Sequence, residues 1–325
     1  GQNKNIYEAE IDAICELVDF LRFNVAYTDN IMNKQPLQTT DIKNISEYNP
    51  LNGFVAAITP FNFTAIGGNL ASAPLLFGNS VIWKPSDNAI LSNHLFYQIM
   101  LEAGLPEGVL NFCPMNPKKF LSEITDQKDL SAVLFTGSST VFDNMYELIS
   151  KNCYYKNNYP RIIGETGGKN FHFMDTSCDN MIDYVVEKTI ESAFNYSGQK
   201  CSACSIMYVP EDLLPQVLKK LKIYVKHYLN NIENYGVISK KSYDKVIKNI
   251  DLLKKDNYVE FAINGNYHDY ENYYIEPNVV VCEHHNHKVF NEEFFAPILA
   301  IYPYKKEDKE ETMNLCINSN NYALT

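Results

Sequence analysis

Short apolar runs that alternate with helical patterns constrain the fold of this chain more than any other feature. Four such runs in its first half, "GFVAAITP", "NSVIWKPS", "GVLNFC" and "LSAVLFTGSS", have the length and composition of buried strands. Helical spacing precedes the first run, over residues 6–27, and returns over residues 90–103, where Gly-Leu-Pro marks the helix end. Strands that alternate with helices predict a doubly wound parallel sheet. The polar residues 30–50 are expected to form a connector.

A second α/β region is predicted in the other half of the chain. "KNFHFMD" and "CSIMYVP" favour strands, whereas residues 179–196 and 211–230 favour helices. The pattern changes just after "GETGGK", which therefore marks a junction. We expect two domains, residues 1–167 and residues 168–325.

Charge, length and cysteine content exclude several classes of protein. With 325 residues the chain is long enough for two domains, and its net charge of −11 argues against nucleic acid as a partner. It has no apolar run near the length that spans a bilayer, so no membrane is expected as a partner either. Eight cysteines scattered along the chain do not suggest a disulfide framework and favour a reducing compartment. The chain has no initiator Met and no secretory signal, and we expect its natural N-terminus to lie upstream.

Two cysteines three positions apart, Cys201 and Cys204, raise three hypotheses. A thiol becomes nucleophilic when a nearby cation favours the thiolate, and Lys200 is adjacent to Cys201. A zinc site needs four ligands, and the chain has no second pair with this spacing. A thioredoxin-like pair should open a helix, but a strand-like run follows here. Spacing alone leaves open two inert thiols, a nucleophile with a bystander, and a redox or metal pair.

Polar residues that follow predicted strands are candidates for ligand binding. In "WKPSD", Lys84 and Ser86 lie at the carboxyl end of a buried strand, where open sheets bind ligands. Gly137, Ser138 and Ser139 lie between a strand and a helix, whose first N–H groups can hold a phosphate. The G-x-G-x-x-G fingerprint is absent, so an ordinary strand end and an ordinary turn remain open for these two motifs.

Three further motifs carry residues with possible chemistry. Glu165 lies between glycines in "GETGGK", and a carboxylate on flexible backbone is a candidate general base, with a solvated turn as the alternative. The amide of Asn62 in "PFNF" can donate to an oxyanion, unless it is an ordinary turn residue. "CEHHNHK", residues 282–288, lacks partners at helical spacing, so we expect a solvated loop there and no metal.

Five longer motifs carry a resemblance to a known family. They are "FVAAITPFNFTAIGGNLASAPLLFGNSVIWKPSD", "EAGLPEGVLNF", "GETGGKNFHF", "SAFNYSGQKCSACS" and "NEEFFAP". In chain order and over essentially all 325 residues, they resemble the aldehyde dehydrogenase superfamily, most of all its Δ1-pyrroline-5-carboxylate dehydrogenase (glutamate-5-semialdehyde dehydrogenase) branch. The resemblance implies an aldehyde dehydrogenase-like α/β fold, with a doubly wound, parallel-sheet NAD-binding domain over residues 1–167 and an α/β catalytic domain over residues 168–325.

The resemblance also implies an activity. This branch oxidises L-glutamate-5-semialdehyde, which forms from 1-pyrroline-5-carboxylate, to L-glutamate in proline catabolism, with NAD as cofactor. We therefore expect a small aldehyde as the substrate, a homodimer or higher homo-oligomer when full length, and the mitochondrial matrix, or otherwise the cytoplasm, as the compartment. The alternatives are another aldehyde as substrate, or a truncated, catalytically silent homologue.

The family's residue roles are implied wherever its motifs match. Cys201 would be the nucleophile, Glu165 the general base, and Asn62 would form an oxyanion hole with the backbone N–H of Cys201, which leaves Cys204 as a bystander. Glu293 would contact the ribose of the nicotinamide. The residues expected to contact NAD are Thr59, Lys84, Ser86, Gly137, Ser138, Ser139, Thr140, Val141 and Glu293. The residues expected to line the aldehyde tunnel are Glu16, Phe63, Lys200 and Ser202.

The sequence departs from the family's pattern at two residues and in its length. Ala296 replaces a usual Gly in the motif that ends "FAP", and Phe142 stands near a position that is often Gly. Relative to the family, the chain is expected to lack an N-terminal and a C-terminal region. The latter carries the loop that grips the substrate's α-carboxylate and part of the oligomerisation surface.

Overall fold

The computed structural model of the chain packs as two compact units. One unit comprises residues 2 and 6–166, and the other comprises residues 167–325 together with residues 3–5. The residues that the structure describes are 2–231, 236–267 and 269–325. No helix among these described residues has both the length and the apolar character that a membrane crossing requires.

The described strands of the first unit form one parallel sheet in the order β3-β2-β1-β4-β5. Their bounds are β1 (Phe54–Ile58), β2 (Ser80–Lys84), β3 (Leu110–Phe112), β4 (Leu130–Thr136) and β5 (Arg161–Glu165). The chain builds outward from β1 through β2 to β3, then returns to the other side of β1. The order therefore reverses between β1 and β4, and the predicted doubly wound parallel sheet is confirmed.

Helices cover both faces of this sheet. Their bounds are α1 (Ile6–Ala9), α2 (Glu16–Asn33), α3 (Thr64–Ser72), α4 (Ile90–Glu102), α5 (Pro117–Asp126) and α6 (Ser139–Asn152). Side chains alternate along β1, so Val55 and Ala57 pack towards α2, α3 and α4, whereas Ala56 packs towards α5 and α6. Both faces of the strand are buried, which explains its uninterrupted apolar run.

The first helical segment differs from its prediction. The π-helical turn Glu10–Cys15 joins α1 to α2, and the helix continues past residue 27 to Asn33. The helical spacing predicts one face with Ile11, Ile14, Val18, Leu21 and Val25. Ile11 and Ile14 are instead 61% and 56% exposed, whereas Leu17, which was not among the predicted positions, is buried. A π-turn holds more residues than an α-helical turn, so spacing counted at the α-helical period no longer falls on one face.

The described strands of the second unit form a mixed sheet in the order β6-β7-β10-β9-β8. Only β8 runs antiparallel to its neighbour in this sheet, as far as the structure describes it. The strand bounds are β6 (Asn170–Phe173), β7 (Cys204–Pro210), β8 (Glu260–Ile263), β9 (Asn278–Val281) and β10 (Ile298–Tyr304). The helix bounds are α7 (Ile182–Phe194), α8 (Leu214–Asn231), α9 (Lys240–Lys254), α10 (Lys288–Asn291) and α11 (Lys309–Asn318).

This sheet also has a core on each face. Met207 and Val209 of β7 pack with α7 and α8, whereas Ile206 and Tyr208 pack on the opposite face with α9. β7 lies next to β10 near the middle of the sheet, and its residues after Ser205 are all buried. The first residue of β7 is Cys204, so Cys201 lies in the turn just before this buried strand.

The histidine-rich segment is only in part the solvated loop that the sequence suggested, with Glu283, His284 and Asn286 exposed. His285 stacks on Phe290 with ring centroids 5.6 Å apart, and its Nε2 lies 2.9 Å from the Tyr208 hydroxyl. His287 caps α10 and lies 2.9 Å from an Asp256 carboxylate oxygen. Within the described ranges, no group of three or more His, Cys, Asp or Glu side chains is placed to hold a metal ion. His285 packs the segment against the sheet, and His287 ties it to Asp256.

Candidate active site

The carboxyl edge of the first sheet brings several predicted residues together. Thr59 follows β1, and its backbone N–H donates to the carbonyl oxygen of Lys84 at 3.1 Å. The Thr59 hydroxyl accepts a hydrogen bond from the indole N–H of Trp83 at 3.0 Å. Because Trp83 is fully buried, this bond fixes the hydroxyl at the end of the strand.

Lys84 ends β2 with a buried side chain whose ammonium group is held in place. The ammonium donates to the carbonyl oxygen of Pro85 and to the carboxylate of Asp87, each at 2.8 Å. Lys84 is 3% exposed, whereas the Asp87 side chain is 59% exposed. Because Asp87 is exposed to water, this ion pair adds little stability, and its main effect is to orient the Lys84 ammonium group. Ser86 caps the following turn, with its hydroxyl accepting from the N–H of Asn88.

The turn after β4 leads into α6 at the same edge. Gly137 follows the strand, and a Cβ atom there would lie 2.7 Å from the ring of Phe135, so only glycine fits without a shift. Ser138 is the extended residue before α6, and its carbonyl oxygen accepts from the Val141 N–H at 3.1 Å. The first N–H groups of α6, on Ser139 and Thr140, have no acceptor within the helix, as at any helix start. They suit an anionic ligand.

Glu165 lies at this edge too, but not on the flexible backbone that was expected. It is the last residue of β5, pairs with Thr136, and its carbonyl oxygen accepts from the Gly137 N–H at 3.2 Å. A Cβ atom at Gly164 would collide with the ring of Phe142, so that glycine serves close packing. The prediction of a flexible backbone up to Glu165 is wrong. The Glu165 side chain itself is exposed.

The segment between β1 and α3 places two further predicted residues. Asn62 is 4% exposed and Phe63, which precedes the first residue of α3, is 8% exposed. A deeply buried amide is unlike an ordinary solvated turn residue and needs hydrogen-bond partners. Glu16 begins α2 and is partly exposed.

In the second unit, a strained turn precedes Cys201. Tyr196, Ser197 and Gly198 follow α7 with φ angles of 52°, 53° and 68°, which only glycine adopts freely. A Cβ atom at Gly198 would collide with the carbonyl oxygen of Ala296. Left-handed conformations of residues other than glycine persist only where the surroundings enforce them, and they cluster at functional sites.

Asn170, the first residue of β6, holds the Cys201 turn through side-chain hydrogen bonds. Its side-chain NH₂ donates to the carbonyl oxygens of Cys201 and Ala203 at 2.6 and 3.0 Å. Its side-chain oxygen accepts from the backbone N–H of Leu324 at 2.7 Å. Asn170 is 2% exposed, so these bonds are shielded from water. Sequence reasoning missed this residue, although it directly follows the "GGK" of a recognised motif.

The two cysteines have different environments. Cys204 is 2% exposed, and burial raises the pKa of its thiol to about 12. A thiol with this pKa is protonated near neutral pH and is a poor nucleophile. Cys201, together with Lys200 and Ser202, is partly exposed.

Glu293 lies against the glycines that open the second unit. A Cβ atom at Gly167 would collide with its carboxyl group, and the backbone N–H of Gly168 hydrogen-bonds to it. Burial raises the pKa of Glu293, while the Gly168 hydrogen bond and the charge of Lys169 lower it. In the motif "NEEFFAP", the residue with a left-handed backbone is Phe295 (φ 53°), not Ala296. Ala296 packs into the core, so the structure accommodates alanine where the family usually has glycine.

Comparison with known proteins identifies the family. The sequence profile of the aldehyde dehydrogenase family matches residues 1–325. The chain belongs to the aldehyde dehydrogenase family. Across its whole length it is 40% identical, over 332 residues, to mitochondrial Delta-1-pyrroline-5-carboxylate dehydrogenase of Danio rerio, and 40% identical, over 334 residues, to the Homo sapiens protein of that name. It spans 59% of the length of each of these two relatives.

The fold of this aldehyde dehydrogenase family member is similar to that of a solved Delta-pyrroline-5-carboxylate dehydrogenase from Mycobacterium tuberculosis bound with NAD. The TM-score is 0.91 at 35% identity, and the match covers 99% of this chain and 60% of that one. The predicted aldehyde dehydrogenase fold is therefore confirmed, as is the resemblance to the pyrroline-5-carboxylate branch.

Proposed function

We propose that this protein oxidises L-glutamate-5-semialdehyde, formed from 1-pyrroline-5-carboxylate, to L-glutamate with NAD. The observation that supports this most is the 40% identity, over the whole chain, to relatives named Delta-1-pyrroline-5-carboxylate dehydrogenase. The chain also has Cys201, Glu165 and Asn62 at the motif positions to which the family resemblance assigns the nucleophile, the general base and the oxyanion donor.

The carboxyl edge of the first sheet fits NAD by the chemistry of its donors. A fixed ammonium group, a fixed hydroxyl and the start of a helix lie where an open α/β sheet binds a dinucleotide. When bound there, NAD accepts the hydride that leaves the substrate. The residues proposed to hold it are Thr59, Lys84, Ser86, Gly137, Ser138, Ser139, Thr140, Val141 and Glu293.

In the proposed reaction, Cys201 and Asn62 act first. The Cys201 thiolate attacks the aldehyde carbon, a C–S bond forms, and the carbonyl oxygen becomes an oxyanion. The Asn62 amide and the Cys201 backbone N–H donate to that oxyanion, which lowers the barrier for attack and keeps the thiohemiacetal in place. Asn170 supports this step by fixing the Cys201 carbonyl group, and with it the turn that presents the thiol.

Glu165 acts after the carbon has lost hydride and become a Cys201 thioester. Its carboxylate takes a proton from water, and the resulting hydroxide equivalent attacks the thioester carbon. The C–S bond breaks, the Cys201 thiolate is regenerated, and the carboxylic acid product leaves. Glu16, Phe63, Lys200 and Ser202 are proposed to line the passage of the aldehyde.

Steady-state NADH formation tests this proposal. The purified protein is assayed with glutamate-5-semialdehyde and with a panel of unrelated aldehydes, and we expect the highest kcat/KM for glutamate-5-semialdehyde. A higher kcat/KM for another aldehyde would favour a different substrate. Binding of NAD without turnover of any aldehyde would favour a catalytically silent homologue.

We also propose the mitochondrial matrix as the compartment and a homodimer or higher homo-oligomer as the assembly. The names of the relatives from Danio rerio and Homo sapiens include the word mitochondrial. Apolar side chains on the first helical segment, such as Ile11, Ile14 and Phe23, are more than half exposed, which is typical of a surface that meets another subunit. Organelle fractionation and light scattering of the full-length protein test these two points.

A further inference from the structure

Lys169 is a buried lysine that the proposed reaction does not use. It lies between Gly168 and β6 and is only 3% exposed. Its backbone N–H donates to the carbonyl oxygen of Tyr322 at 3.0 Å, so the main chain at this point is held. Lysine is among the residues that are least often fully buried, because removing its charge from water is costly.

Two acidic neighbours and an aromatic ring compensate this burial in part. Burial lowers the pKa of Lys169 to about 8, while the negative charges of Glu293 and Glu292 raise it. The ammonium nitrogen also lies 4.9 Å from the centroid of the Phe294 ring, within the range of a cation–π contact. At neutral pH and below, Lys169 is therefore a cation enclosed next to the segment that carries Glu293.

Glu293 and Lys169 line one narrow cavity of the second unit. The bare backbone of Gly167 leaves room for the Glu293 carboxyl group, which receives the Gly168 N–H. The charged groups that act on this carboxyl are Lys169, next to β6, and Lys245 of α9; both favour the carboxylate, against the effect of burial. Lys169 is buried, whereas Lys245 is exposed and therefore screened by solvent.

We propose that Lys169 is a positioning residue that keeps Glu293 ionised and aimed at a ribose hydroxyl of NAD. This inference rests on the proposed function, in which Glu293 contacts that ribose. An ionised carboxylate only accepts hydrogen bonds, and two ribose hydroxyls can then donate to it. A protonated carboxyl has lost part of that capacity. The positive charge of Lys169 thus keeps the Glu293 carboxylate ready to accept hydrogen bonds, and Lys169 itself does not contact the cofactor.

The dissociation constant of NAD, measured by isothermal titration calorimetry between about pH 5.5 and 9, tests this role. In Lys169→Met, the Glu293 carboxyl should protonate at a higher pH than in the wild type. Binding should then be roughly three- to tenfold weaker at the acidic end, given what one nearby charge does to a carboxyl group. Above about pH 8 the two curves should converge, because Lys169 loses its proton and Glu293 is ionised in both proteins.

Four further variants make the test specific. Lys245→Met, which removes the exposed lysine, should change the pH dependence of NAD binding much less than Lys169→Met does. Lys169→Arg, which keeps the positive charge, should retain the wild-type pH dependence. Lys169→Gln, an independent neutral variant, should behave like Lys169→Met. In a Glu293→Gln background, Lys169→Met should have no further effect on the pH dependence.

Two results would contradict the inference while leaving the proposed function intact. One is equal pH dependence in the wild type and in both neutral variants. The other is an equal effect of Lys169→Met with and without Glu293. Failure of the wild-type protein to bind NAD at all would instead overturn the proposed function.

Discussion

At the residue scale, Cys201 and Cys204 differ in environment although only two residues separate them. Cys204 begins β7, and burial raises the pKa of its thiol to about 12, so it stays protonated. Cys201 lies in the preceding turn, is partly exposed, and is held through its carbonyl oxygen by Asn170. Since the thiolate is the nucleophilic form of cysteine, these environments favour Cys201 for attack on an aldehyde.

Substitution of each cysteine separates their roles. Cys201→Ser should reduce kcat by on the order of 10⁴-fold or more, as loss of a nucleophile does. Cys204→Ala should leave most of the activity. Iodoacetamide at neutral pH, followed by peptide mass spectrometry, should label Cys201 in the wild type and leave Cys204 unmodified. Labelling of Cys204, or a similar loss in both variants, would contradict the assignment.

Glu165→Gln tests the base at the end of β5. Loss of a general base costs about 10²–10⁴-fold in the step that it serves, and in the proposed reaction this step is thioester hydrolysis. Acylation should persist, so stopped-flow kinetics should show a burst of NADH close to one per active site, followed by slow turnover. A variant without a burst and without an acyl-enzyme would place Glu165 at an earlier step. Undiminished turnover would remove it from catalysis.

At the element scale, the sequence predicts an element well where both of its faces are buried. β1, β2, β4 and β7 lie inside their sheets and were predicted from apolar runs, because central parallel strands are apolar throughout. β3 and β6 were predicted as well, although each lies at the edge of its sheet. β5 was missed as a strand because it is at the edge of its sheet, and most of its residues are exposed. No prediction was made for β8 or β9, which have four residues each. β10 is a buried apolar run for which no prediction was made.

The turn between α7 and β7 could not be predicted from pattern at all. Its three consecutive left-handed residues include Tyr196 and Ser197, which have no intrinsic preference for that conformation. The surrounding structure imposes the conformation, with Gly198 placed against the Ala296 carbonyl. Long-range packing of this kind leaves no periodic trace in the sequence. The family motif "SGQKC" was therefore the only signal for this turn.

Gly198→Ala tests how important the close packing of that turn is, and Gly104→Ala is its matched control. Both glycines have positive φ, 68° and 97°, but a Cβ atom at Gly104 meets nothing within 4 Å. Gly104→Ala should lower the free energy of unfolding by about 1 kcal/mol through backbone strain alone. Gly198→Ala adds a collision with Ala296 and should lower it by roughly 2–4 kcal/mol, with a loss of kcat. Urea unfolding measures both changes; equal effects would show that the close approach at Gly198 is unimportant.

At the scale of the whole molecule, each unit has a helix-covered sheet with cores on both faces. In the first unit, the sequence predicted which residues lie at or just after the strand ends. The parallel sheet places these residues, Thr59, Lys84, Gly137 and Glu165, along its carboxyl edge. In the second unit, it did not reveal that Lys169 is buried beside Glu293, because lysine is normally a surface residue. Strand order follows from local pattern and chain connectivity, whereas burial of a charge depends on the finished fold.

Thermal unfolding in the presence of NAD tests whether the sheet edge of the first unit holds the cofactor. A ligand at about 100 times its dissociation constant adds about 2.7 kcal/mol to the stability of the folded state. For a chain of this size, that corresponds to a rise in Tm of about 4 °C. In Lys84→Ala, the fixed ammonium group is lost, so a tenfold weaker affinity should cut the rise to about half at the same NAD concentration. Lys118→Ala removes an exposed lysine of α5 and should show the full rise. An equal rise in both variants would place NAD away from Lys84.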